Sequence, residues 1–172
     1  ESIEERVELN LRIRQLQSVL LLIGDAETGQ RGYLLTDKRQ YLAPYEHAVT
    51  DLPQMLDAIR AAAAEDAALS TALQNVKDLV LLKLGELAET IRLHDAGQQA
   101  AALNLVQTDA GQHYMEEVRN ILGTVMDELR VRRDSADQAG NLGFQRLDGL
   151  RELAQPAQLI AGDPDAHRLR CA

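Results

Sequence analysis

The sequence has a single cysteine, Cys171, so no disulfide can form within the chain, and cysteine usage does not reveal a redox compartment. Tryptophan is absent and aromatics make up only 3% of the residues, which disfavours a β-sandwich, since Ala and Leu supply the apolar mass instead. Basic charge is scarce. The net charge of −9 argues against a nucleic-acid partner, because binding phosphates needs clustered Lys and Arg. Long apolar runs are missing too. The longest, Val19-Leu20-Leu21-Leu22-Ile23, falls far short of the roughly 20 residues that a membrane helix needs. No Gly-rich phosphate loop, Gly-x-Ser-x-Gly or Cys-x-x-Cys occurs, and the Glu-x-x-His pair expected twice in a di-iron helical bundle is absent. Catalysis therefore has no positive support, and no cofactor is expected.

What remains is a chain of 172 residues, 45% hydrophobic, long enough for one domain with a sizeable core. Its apolar residues recur at helical spacing. Leu9, Ile13, Leu16, Leu20 and Ile23 step by four and three, the seam of a helix packed on other helices, predicted to run from about Ile3 to Leu35. At about 1.5 Å per residue it would be on the order of 50 Å long. Thr36-Asp37 offers capping oxygens to a second helix starting near Lys38, in which Pro44 fits the first turn and Pro53 is expected to kink the rod. Its stripe is Ala48, Leu52, Leu56 and Ile59. Glu65-Asp66 reads as a turn with a new N-cap. The third helix then carries Leu69, Leu73, Val76, Val80, Leu84, Leu87 and Ile91 and ends at Gly97. A fourth helix is predicted from about Gln98 to Arg133, with Leu105, Met115, Val118, Leu122, Val125 and Leu129 as its seam. After Ser135 the pattern decays among Gly140, Gly143, Gly149, Pro156, Gly162 and Pro164, with a short amphipathic helix possible from Leu147 to Ile160. The expected fold is all-α, an antiparallel up-down-up-down four-helix bundle with long first and fourth helices. Its division is residues 1–135 as the bundle and 136–172 as a C-terminal tail.

Two polar breaks interrupt these seams. In the first helix the apolar step lands on Glu27 and Gln30, flanked by Gly29 and Gly32. Polar groups on a buried seam cost free energy unless paired, and a helical glycine costs about 1 kcal/mol relative to alanine. In the fourth helix the seam turns polar at Thr108, Asp109, Gly111 and Gln112. Glu27 lies roughly as far before the end of the first helix as Gln107 and Thr108 lie into the fourth. In an up-down bundle the two breaks would face each other as one polar layer.

Each residue has a structural and a functional reading. Glu27 and Arg31, spaced i, i+4, can be a structural ion pair, with Gly29 and Gly32 admitting a close helix crossing. They can instead belong to a ligand-sensitive layer, with Arg31 anchoring an anionic group and Thr28, Gln30, Thr108 and Gln112 supplying neutral hydrogen bonds. Tyr33, Tyr41 and Tyr45 suit an aromatic cluster closing one end of the bundle. Asp109 and His113 are a weak metal-ligand pair, since one helix rarely completes a site; a solvated acidic face with Glu116 and Glu117 is the default. His47 lacks the acidic residue and proline expected after a phosphoacceptor histidine and reads as an ordinary exposed side chain.

The stretch Asp25-Ala26-Glu27-Thr28-Gly29-Gln30-Arg31-Gly32-Tyr33-Leu34-Leu35-Thr36, followed by Tyr41-Leu42-x-Pro44-Tyr45, resembles the signature of the CHASE sensor family, type three. The likeness is nearly continuous from Asp25 to Tyr45 and continues more weakly through Lys83-Leu84-x-Glu86-Leu87 into the last helix, covering about the first 135 residues. Such domains are extracytoplasmic sensors of bacterial histidine kinases, nucleotide cyclases and chemoreceptors. The resemblance implies a periplasmic input domain of a membrane-anchored receptor, most simply a two-component histidine kinase. It also implies a small-molecule or protein signal, with leftover apolar helix surface available to a homodimer. It favours an excised sensor over a cytoplasmic fragment as the reason that the chain starts at Glu1 with no visible signal peptide. The tail departs from the family, where a membrane helix should follow directly. A chemoreceptor ligand-binding bundle, or a helical adaptor that senses nothing, are the other readings.

Overall fold

The structure, a computed structural model, describes residues 2–153, with side chains from 3 to 138. Within them the chain is all-helical. Helix α1 spans Ser2–Thr36, and a single 3-10 turn follows at Arg39–Leu42. Helix α2 spans Ala43–Ala62, α3 Ala67–Asp95, α4 Gln99–Val106 and α5 Ala110–Leu153. Helix α1 packs on α2 and α5, α3 packs on the same two helices, and α4 lies against α3. At one end Arg6 reaches Asp137 at 2.8 Å, Arg12 reaches the Ala62 carbonyl at 2.9 Å and Arg132 reaches Asp66 at 2.9 Å. The start of α1, the α2–α3 turn and residues 132–137 of α5 therefore meet there. At the other end Tyr33 and Asp37 of the α1 terminus meet His94 and Asp95 of the α3 terminus.

The local chemistry explains most boundaries. Asp66 caps α3, its carboxylate accepting from the Leu69 N–H at 3.0 Å. Gly97 ends α3 at φ +72°, with Gln98 N–H donating to Leu93 O and Gly97 N–H to His94 O, both at 2.9 Å. That pair of bonds is a Schellman motif, whose left-handed residue is the reason for glycine here. Pro44 sits in the first turn of α2, where its missing N–H costs little, and Pro53 lies inside the helix.

Three expectations need correction. The seam of α1 runs Leu16, Val19, Ile23, Ala26, Gln30 and Tyr33, not through Leu20, which is only partly buried. The stripe takes two three-residue steps in succession, Ile13 to Leu16 to Val19, before the four-residue step to Ile23. Gln30 thus sits on the buried seam and Glu27 on its shoulder. Second, Thr36 does not cap the next helix. Its hydroxyl donates to Gly32 O within its own helix, and the reversal is made by Asp37 at φ 57°. The 3-10 turn carries no side-chain cap, and α2 begins only at Ala43.

Third, the fourth helix is broken. Thr108 closes α4 by donating both its N–H and its hydroxyl to Leu105 O, and Asp109 turns the chain at φ 58° before α5 begins. Ala102, rather than Leu105, is the buried residue of α4. Helix α5 then passes Arg133 and the expected boundary at 135 and continues to Leu153. Gly140, Gly143 and Gly149 weaken that helix by about 1 kcal/mol each relative to alanine but do not stop it. The expected separate helix from Leu147 is, as far as Leu153, part of α5; its remainder lies outside the described residues. The stripes expected for α2, α3 and the Met115–Leu129 part of α5 are all buried.

Candidate functional site

A polar layer crosses the core at the level of Gln30. Helix α1 supplies Glu27, Gln30 and Arg31, α3 supplies Lys83 and Glu86, and α5 supplies Gly111 and Gln112. Gln30 is 2% exposed, and its side-chain N–H group has no hydrogen-bond partner among the described residues. The Lys83 side chain is 3% exposed, with its ammonium 2.8 Å from Glu86 Oε2 and 3.9 Å from Glu27 Oε1. Arg31 lies 3.5 Å from Glu27 and mostly in solvent. Gly111 makes room for the buried ion pair, since a Cβ there would stand 2.4 Å from Glu86 Oε2 and 2.5 Å from Lys83 Nζ.

These groups surround a recess of about 240 Å³, which Leu87, Val106 and Asp109 help to line. Arg31 and Gln112 both border it, so the two polar breaks meet at one place. Thr28 and Thr108 do not join them. Both are exposed, and each hydroxyl bonds a carbonyl of its own helix, Gly24 O and Leu105 O respectively. Gln112 is exposed at the rim, its amide donating to Glu116. Asp109 and His113 are exposed, with the His113 backbone N–H donating to Asp109 O. Among the described residues no three His, Cys, Asp or Glu side chains gather closely enough to hold a metal ion.

The glycines of α1 have a packing role. A Cβ on Gly29 would lie 2.4 Å from the Tyr41 carbonyl oxygen, and one on Gly32 would lie 3.1 Å from the Tyr41 ring. The Pro44 ring stands 3.4 Å from the same Gly29 position. Gly29, Gly32, Tyr41 and Pro44 therefore form one crossing, in which the returning chain lies directly on the backbone of α1.

The family model of the CHASE3 domain matches residues 4–139. The chain belongs to the CHASE3 family. CHASE3 is a family of extracellular sensory domains, so the chain is a sensory input domain. No curated protein and no solved structure matches it significantly. None of the described helices of this CHASE3 domain is long and apolar enough to cross a membrane.

Many of the residues quoted in the family likeness fall into two groups in the CHASE3 domain: the crossing of α1 with the returning chain, and the polar layer. Lys83 and Glu86 of the layer carry no role in the sequence reading. The signal for Lys83 was present, because the steps Val76, Val80, Lys83, Leu87 and Thr90 place it on the buried stripe, where a lysine demands a partner.

The aromatic cluster at the far end of the CHASE3 domain contains Tyr33 and the half-buried Tyr45, packed with Leu42 and Ile91. Tyr41 lies outside it, 41% exposed, over the Gly32 crossing. Tyr33 donates its hydroxyl to Asp95 at 2.5 Å, meets the His94 ring edge-on at 5.0 Å and carries the Arg39 guanidinium above its ring. The bond to Asp95 raises the Tyr33 pKa, with burial adding to it, and the same bond, helped by Arg39, lowers that of Asp95. Asp66 is lowered by the Leu69 N–H and by Arg132. A depressed carboxylate adds stability above its unfolded value of about 3.9, lost as pH falls through the folded pKa. A raised phenol adds stability below about 10, lost as pH rises through its folded pKa. The melting temperature is therefore expected to be flat between these limits and to fall on both sides. Tyr33→Phe should make both limbs shallower. Thermal unfolding followed across pH tests this, and limbs unchanged in the variant would contradict it.

Proposed function

We propose that this CHASE3 domain is the periplasmic input domain of an inner-membrane receptor, a two-component histidine kinase, and is not itself an enzyme. In this reading the helices form an antiparallel up-down-up-down four-helix bundle in which α4 is a short insert before the fourth rod. The observation that carries the proposal is the polar layer, where an incompletely bonded Gln30 and a buried Lys83–Glu86 pair interrupt an otherwise aliphatic core. A core element that is not closed by its own hydrogen bonds can be satisfied in more than one helix packing. A signal that prefers one packing shifts the population.

Helix α1 from Gln30 back to Ser2 measures about 40 Å, so the layer lies far from the end at which Arg6 meets Asp137. That end faces the membrane in this reading, and 136–172 is a tail that follows the 1–135 sensing unit in sequence. A slide or rotation of α1 against α5 of about 1–2 Å would carry the signal there. Glu27, Gln30 and Arg31, opposite Gln112, are the coupling residues. Ile3, Val7 and Leu11, exposed at i, i+4 spacing along α1, support a homodimer in which a second copy covers them. No cofactor takes part.

The test is a chimera, with this segment placed between the two membrane helices of a histidine kinase and phosphorylation of its response regulator read out. Gln30→Leu should change basal output by about fivefold or more, while the surface change His47→Ala should not. Equal output from both variants would contradict the proposal.

A further inference from the structure

We infer that the recess beside Gln30 and an adjoining apolar cleft form one binding site for a small amphipathic molecule with an uncharged, hydrogen-bond-accepting head and a short aliphatic tail. This deepens the sensor reading and rests on it for its biological sense, though not for its chemistry. The head is defined by Gln30. Gln30 lines the recess, and its buried amide N–H group has no partner among the described residues, so the side chain calls for an acceptor.

Charge narrows the choice further. The ionisable lining groups are Glu27, Glu86 and Asp109 against Arg31 and Lys83, a formal excess of one negative charge. Lys83 is already closed by Glu86 and Glu27, and Arg31 by Glu27. A carboxylate or phosphate head would enter a site whose cations are taken and whose balance is negative. An ammonium head carries no acceptor and would leave the Gln30 N–H group unpartnered. A carbonyl in an amide, ester or lactone meets neither objection.

The tail is defined by the neighbouring cleft. It has a volume of about 340 Å³ and is walled by Leu34, Leu35, Ala102 and Leu103. It shares Arg31 and Val106 with the recess, so the two spaces border the same pair of side chains. Leu35 and Leu103 are 86% and 56% exposed, which leaves apolar area at the rim for an aliphatic chain to cover. A polar recess beside an apolar cleft of this size matches the anatomy of small-molecule sites, which run to about 300–1,000 Å³.

The test is a set of NMR titrations of the isotope-labelled protein with four probes: hexanamide, hexanoate, hexylamine and acetamide. Hexanamide should shift the Gln30 side-chain amide and the Leu103 and Val106 methyl signals saturably. The other three should bind at least tenfold more weakly, acetamide because it lacks the tail. Gln30→Leu, checked for fold by circular dichroism, should weaken hexanamide at least tenfold. Leu103→Asp, at an exposed position that the fold does not need, should do the same. Overturning results are the absence of a saturable hexanamide response, equal or tighter binding of hexylamine or hexanoate, or hexanamide binding unchanged in both variants. The two readings fail separately. A chimera that responds to Gln30→Leu in a protein that ignores hexanamide rejects the ligand chemistry alone, and hexanamide binding with a silent chimera rejects the sensor reading alone.

Discussion

Lys83→Met is expected to lower the free energy of unfolding by about 3–5 kcal/mol, the cost of breaking a buried ion pair by removing one partner. The Lys83 side chain is 3% exposed and that of its partner Glu86 only 11%. The substitution leaves the Glu86 carboxylate facing Glu27 with no ammonium between them, in a space that Gly111 keeps open. The double change Lys83→Met with Glu86→Leu is expected to recover most of the loss, because replacing a buried pair by apolar groups of similar volume is often neutral or stabilising. Guanidinium unfolding followed by helical circular dichroism measures both. A single variant that loses less than about 1 kcal/mol would mean that the pair behaves like a solvated surface bridge, and the layer would then carry no strain to relay.

Gly29→Ala is expected to cost about 3 kcal/mol, at the upper end of the usual cost of overpacking. Its Cβ would stand 2.4 Å from a backbone oxygen of Tyr41, and backbone cannot turn aside as a flexible side chain can. Either α1 separates from the returning chain or the Arg39–Leu42 turn deforms. Gly32→Ala should cost about 1 kcal/mol, since its contacts are looser, 3.1 Å or more, and lie on the exposed Tyr41 side chain rather than on backbone. Gly24→Ala is the control. No atom lies within 4 Å of its Cβ position, so it should gain about 0.5–1 kcal/mol from helix propensity alone. The order Gly29, Gly32, Gly24 in measured stability tests whether the signature glycines serve the crossing; equal effects at all three would show that they do not.

The helices were legible because aliphatic stripes at steps of three and four leave little alternative, and the caps at Asp66 and Gly97 use local chemistry that spacing reveals. The break at Thr108–Asp109 was not. Its residues read as a polar interruption of one helix, and the choice between an interrupted seam and a helix break is made by a left-handed Asp109, which sequence does not mark as glycine would. The register of α1 was off by one residue at Val19, because adjacent aliphatic residues at 19 and 20 both satisfy the pattern. That shift moves Glu27 to the shoulder and leaves Gln30 on the seam, where the projection also put it. The meeting of Arg31 and Gln112 was foreseeable from matching heights along two rods. The pairing of Lys83 with Glu86 needs the third helix, and an i, i+3 lysine and glutamate resemble any solvated pair until burial is known.

Coupling between the layer and the end proposed to face the membrane is the central claim, and the distance between α1 and α5 away from the layer is its most direct measure. Spin labels at the exposed positions Gln17 and Thr124, in a Cys171→Ser background, report that distance by pulsed electron resonance. Gln30→Leu, which removes the unpartnered donor of the layer, is predicted to shift the distance distribution by about 1–2 Å while the protein stays folded. Superimposable distributions in the two proteins would contradict the account.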